Sequence, residues 1–117
     1  MSRWQDIYLH LKNNGIDVYA PGYHKGECTA PYVVLKDDGE SRYGQYSSTQ
    51  NLYSAMCYVP GNSYTALEPF VDRVEGLLDG LYPMIRSVHY RTPSFYDDTV
   101  KGYMISTQYV NYRKYTR

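Results

Sequence analysis

Cysteine, tryptophan and phenylalanine are scarce in this chain of 117 residues, with 2, 1 and 2 copies, and the formal net charge is zero. Each shortage excludes something. Cys28 and Cys57 lie in different segments and form no close-spaced pair, so neither a zinc signature nor a disulfide framework is expected. The N-terminus carries no apolar leader and no apolar run approaches a membrane span, which makes the cytoplasm the expected compartment and excludes a membrane partner. Twelve basic against twelve acidic residues argue against general nucleic-acid binding, which needs a basic domain. No glycine-rich phosphate loop and no dinucleotide fingerprint follows a strand.

What the chain has is tyrosine. There are 16, and they deliver most of the aromatic area. Tyrosine offers a large rigid surface with one hydroxyl and is enriched at protein interfaces, although half-exposed strands also carry it. Charge is unevenly spread. Residues 1–83 hold 6 basic and 10 acidic side chains, a net of −4, and residues 84–117 hold 6 and 2, a net of +4. Opposite poles suit head-to-tail contact between copies.

One domain is expected from the length. Ser2-Arg3-Trp4-Gln5 has the form of a capping box, and Trp4, Ile7, Tyr8 and Leu11 then share one helix face. Asn13-Asn14-Gly15 supplies the stop. Ile16-Asp17-Val18-Tyr19 is a short extended piece closed by Pro21-Gly22, and Tyr32-Val33-Val34-Leu35 reads as a buried strand. Residues 37–50 hold glycines and serines with almost no aliphatic residue, so a mobile hairpin loop is expected there, with extended arms as an open alternative. Residues 51–59 return as a strand. A second helix follows, with Leu67, Phe70, Val71, Val74, Leu77, Leu78 and Leu81 at helical spacing and a capping box at Thr65-Ala66-Leu67-Glu68. Residues 84–91 and 102–115 alternate as strands, with a loop at 92–101. The order α-β-β-α-β-β has no crossover helix between successive strands. It predicts an α+β fold, a mainly antiparallel sheet of about four strands with both helices on one face.

The search for chemistry returns little. His24, Glu27 and Cys28 gather in one loop, but three side chains with no second cluster fall short of a metal signature. Asp37-Asp38-Gly39-Glu40 lacks the alternating ligands of a calcium loop, and Asp97-Asp98 reads as a turn. No catalytic residue, metal or cofactor is expected. The residues expected to matter are contact residues. Arg42, Tyr43 and Tyr46 would touch a neighbour from the hairpin loop. The acidic helix surface (Asp72, Glu75, Asp79) and the basic portion (Arg86, Arg91, Arg113, Lys114) would lie on different sides of a subunit and meet between copies.

The layout as a whole carries a resemblance. A helix leads to Val18-Tyr19-Ala20-Pro21-Gly22, then to Pro31-Tyr32-Val33-Val34-Leu35, a polar loop, a strand at 52–59, a Pro-Gly break before the long helix, and a final hairpin with alternating aromatics. This resembles the tail terminator, or tail completion, proteins of long-tailed bacteriophages and phage-tail-like particles. The resemblance implies a ring of the chain's own copies, generally six-fold, on the last ring of the tail tube. Such a ring stops tube polymerisation and presents a surface to the head-side connector. Tail tube protein and connector would be the partners, no specific nucleic-acid contact would be made, and the location would be the head-proximal end of the virion tail after assembly in the bacterial host cytoplasm. It brings no catalytic residue. Two other readings stay open: another phage connector or tube-like ring protein, and a tyrosine-rich module for single-stranded nucleic acid.

Overall fold

Apolar spacing and local stops account for both helices. The computed structural model describes the backbone over residues 3–43 and 48–114, and side chains over 3–39 and 50–111. Helix α1 (Trp4–Asn13) buries Ile7 and Leu11, with Trp4 and Tyr8 packed at the margin. It ends in a Schellman turn. Gly15, at φ 85°, donates to the Lys12 carbonyl and Ile16 donates to that of Leu11, at 3.2 and 3.1 Å. The expected capping box begins at Ser2, outside the described residues, and Arg3 before the helix makes no side-chain cap bond.

Helix α2 (Leu67–Asp79) buries Leu67, Val71, Val74 and Leu78, with Phe70, Leu77 and Leu81 partly buried around them. Its expected capping box does not form. Residues Tyr64–Ala66 make a 3-10 turn instead, in which Ala66 donates to the Ser63 carbonyl at 2.9 Å and Leu67 to that of Tyr64. Pro69 is the third helical residue, where no intrahelical amide bond is required, so its missing N–H costs nothing. His10 on α1 donates from Nε2 to the Leu77 carbonyl at 2.8 Å, tying the two helices together at the end of α2.

The sheet has six strands: β1 (Val18–Tyr19), β2 (Tyr32–Tyr43), β3 (Ser48–Pro60), β4 (Arg86–Arg91), β5 (Phe95–Asp97) and β6 (Gly102–Lys114). Their order is β1-β2-β3-β6-β4, with β5 also on β6, and only the β1–β2 pair is parallel. The α+β class and the mainly antiparallel sheet therefore agree with expectation, whereas the count of about four strands and the simple α-β-β-α-β-β order do not. The extra strands are short, β1 with two residues and β5 with three, and β5 lies in the segment expected to be a loop.

Both helices cover one face. Val33, Leu35, Tyr53, Ala55, Cys57, Val59, Ile105 and Tyr109 meet them there. The other face holds a smaller cluster of Cys28, Tyr32, Val34, Tyr58 and Met104. This second cluster is why Tyr32-Val33-Val34-Leu35 is apolar throughout: both faces of the strand are buried.

The long polar segment is a hairpin made mostly of its extended arms: residues 37–43 and 48–50 are strand, paired from Asp37↔Tyr53 through Tyr43↔Ser48, which leaves less loop than expected. Backbone pairing with β3, itself paired on its other side to β6, holds these residues extended without aliphatic side chains. A bulge between Asp37 and Gly39 accommodates Gly39 at φ 108°, and the Asp37 carboxylate accepts from the Gly39 amide at 2.8 Å. Tyr46 lies outside the described residues.

Candidate assembly surface

The helices reach the sheet at its centre. Trp4 donates from its indole N–H to the Leu35 carbonyl at 2.8 Å, the Arg3 amide donates to the Tyr53 hydroxyl at 2.7 Å, and Tyr109 donates to Asp79 at 2.9 Å. Beyond those residues β2, β3 and β6 continue to Tyr43, Ser48 and Lys114 as a three-stranded ribbon. The molecule measures 51 × 25 × 24 Å. Asn51 and Asn111, opposite each other in register, are buried at the root of the ribbon, where Asn111 donates to the Met84 carbonyl. Arg42 and Tyr43 fall on the ribbon's outer strand, and Arg113 and Lys114 on its opposite strand.

The acidic and basic groups expected on different sides of the subunit are partly joined within it. Arg91 donates from Nε and Nη2 to Glu75 at 3.0 and 2.7 Å, and from Nη2 to Asp72 at 2.6 Å. Thr107 donates its hydroxyl to Glu75 at 2.7 Å. The bonds from Arg91, reinforced by Thr107, hold the Glu75 carboxyl below its ordinary range against the opposing pull of burial. The same bonds push the Arg91 guanidinium higher still. Chain order hides this pairing because β4 folds back over α2. Asp79 is likewise engaged by Tyr109, whose hydroxyl is pushed up first by burial and then by that carboxylate. Arg86 lies with its guanidinium 5.7 Å from the Tyr82 ring.

Strand β4 does not alternate as its sequence suggests. Its register shifts between Ser87 and Arg91, where His89 sits at φ 62° and its amide donates to Ser87 Oγ at 2.9 Å. Val88 and Tyr90 in this excursion are exposed, as are Phe95 and Tyr96 on β5. Tyr96 and Tyr64 both contact the Tyr103 ring edgewise, at 5.2 and 4.7 Å between centroids. Beside them lies an open groove of about 670 Å³ between the start of α2 and residues 91–94. Sequence reasoning missed this aromatic patch; the signal was present in Phe95-Tyr96, two large rings in a segment expected to be loop.

The loop holding His24, Glu27 and Cys28 is pulled apart. His24 stacks on Tyr32 at 3.7 Å, and Tyr32 stacks on Tyr58 at 4.7 Å, which occupies those rings with one another. Glu27 pairs with Lys101 at 3.7 Å, and Cys28 is buried against Gly102. Among the described residues no group of three or more His, Cys, Asp or Glu could hold a metal ion, and no helix is long and apolar enough to cross a membrane. Asp97 accepts from the Thr99 amide at 2.9 Å, the turn its sequence implies. No protein-family model and no curated protein matches the chain.

Proposed function

We propose that this chain is a structural subunit of a phage tail or tail-like particle, closing with its own copies into a ring that caps the tail tube and receives the head-side connector. The observation that carries this reading is the ribbon. Three long strands leave the helix-covered core with polar sequence on them, an arrangement that adds nothing to the subunit's apolar core but suits contact between copies. The exposed rings of Tyr64, Phe95 and Tyr96 supply a second, apolar surface fit for the tube or the connector. Tyr32 and Tyr58, stacked together beside His24, give the nucleic-acid reading less support than their number in sequence does.

The test is size measurement of the purified chain followed by negative-stain imaging, alone and with tail tubes. Closed rings, or caps at one end of the tubes that halt their growth, are expected. A monomer that ignores tubes and binds single-stranded nucleic acid would overturn the proposal.

A further inference from the structure

The ribbon has two open edges, and they are complementary. Strand β1 covers only Val33 and Val34 of the outer edge of β2, so among the described residues Lys36 to Tyr43 have no strand partner on that side. On the opposite side β5 and β4 cover β6 from Gly102 to Val110, leaving residues 111–114 without a strand partner among the described residues. Unpaired edges are templates for another strand, and proteins usually guard them with charges and bulges. Here the guarding charges differ in balance: three acidic positions (Asp37, Asp38, Glu40) and two basic ones (Lys36, Arg42) on the β2 edge, against Arg113 and Lys114 alone on the β6 edge.

We propose that neighbouring copies join edge to edge, β6 of one copy pairing with β2 of the next, so that the ribbons form one continuous sheet around the ring. This rests on the reading that the chain works as a ring of its own copies. The topology fixes the direction. β2 and β6 are each antiparallel to β3 and so run the same way, which makes the junction between like-oriented copies parallel. Register follows from charge and face. Glu40 pairs with Asn51 and Arg42 with Thr49, and Thr49 also pairs with Arg113. A level junction would therefore set Arg113 beside Arg42 of the next copy, like charge on like. An odd offset would exchange the two sheet faces. An offset of two residues puts Arg113 beside Glu40 and Lys114 beside Ser41, and a stagger of this kind is what closing a sheet on itself requires. The contact is heterologous, the type that generates rings.

Two sets of variants test it. Ser41→Cys/Lys114→Cys should cross-link on mild oxidation into a reducible ladder ending at the closed ring, whereas either single variant should run as a monomer; Cys28 and Cys57 are buried and stay silent. Glu40→Arg and Arg113→Glu should each raise the concentration for half-assembly about two- to fivefold, and the double swap should restore it. Rings that form without cross-linking, or a swap that restores nothing, would overturn the edge contact and leave the tail-end reading standing. A ladder from a protein that leaves tubes uncapped would support the edge contact and count against the tail-end reading. A chain that stays monomeric at every concentration, with or without tubes, would overturn both.

Discussion

Replacing Arg91 by alanine removes the cation that Glu75 and Asp72 share, and the structure says which loss dominates. The Asp72 carboxylate is 67% exposed, so its share is that of a surface pair, roughly 0–1 kcal/mol. Glu75 is 22% exposed and takes two bonds from Arg91; charge-assisted bonds of that kind are worth about 1.5–3 kcal/mol, and losing them leaves a half-solvated carboxylate held only by Thr107. A loss of about 2–3 kcal/mol corresponds to a fall of roughly 8–12 °C in Tm for a domain of this size. The pH dependence gives a sharper check. Glu75 has a lowered pKa in the folded chain, so its contribution is complete above the unfolded value, about 4.3, and is lost as pH falls through the lower folded value. Thermal melts of parent and Arg91→Ala should therefore differ most near pH 7 and converge as pH drops below 4. A variant melting within about 1 °C of the parent at pH 7, or a gap that does not change with pH, would refute the assignment.

The remaining expectations concern the core. Val74→Asp places a carboxylate at a position with 0% exposure, at a cost of several kcal/mol on the order of total domain stability, so circular dichroism should show an unfolded chain. Burial pushes the Cys57 thiol far up and the Cys28 thiol up as well, so neither should react with a thiol reagent at pH 8 until denaturant is added; prompt labelling of Cys57 would contradict its placement. Gly102→Ala would set a methyl 2.7 Å from the Val59 carbonyl and 2.9 Å from Cys28 Cβ, costing about 1–3 kcal/mol in urea melts.

The helices were legible because their signal is local. Leu67 to Leu81 repeats at 3.6 residues, and a stripe of that width must be buried against a core. Gly15 was legible for a similar reason, since a left-handed stop favours one residue type. The length of the hairpin arms was not legible, because they are held by backbone pairing to β3 and their side chains carry no alternating apolar pattern. The aromatic patch was missed because β5 is three residues long and exists only through its pairing with β6. The Arg91 cluster was misread from the same cause. Charge counted along a chain cannot show that β4 returns across α2, where Glu75 and Arg91 lie 16 positions apart in sequence and within hydrogen-bond distance in space.

With Asp72, Glu75 and Arg91 paired inside the subunit, the ribbon gains weight among the charges available between copies, and this bears on how assembly proceeds. An edge junction over residues 111–114 makes only a few backbone bonds, each worth about 0.5–1.5 kcal/mol net. Association costs on the order of 4–15 kcal/mol in lost translation and rotation, so one junction alone is weak even with an apolar contribution beside it. Closing a ring is different: the final subunit makes two junctions for a single association cost. Open dimers and trimers should therefore be rare, and mass photometry across a dilution series should find monomers and one closed species with little between. Salt should slow the approach to that species while scarcely dissolving it once formed, because exposed charges govern encounter and orientation more than final affinity. A broad ladder of open oligomers at every concentration would show that single junctions are strong, and that the open strand edges are not what holds the copies together.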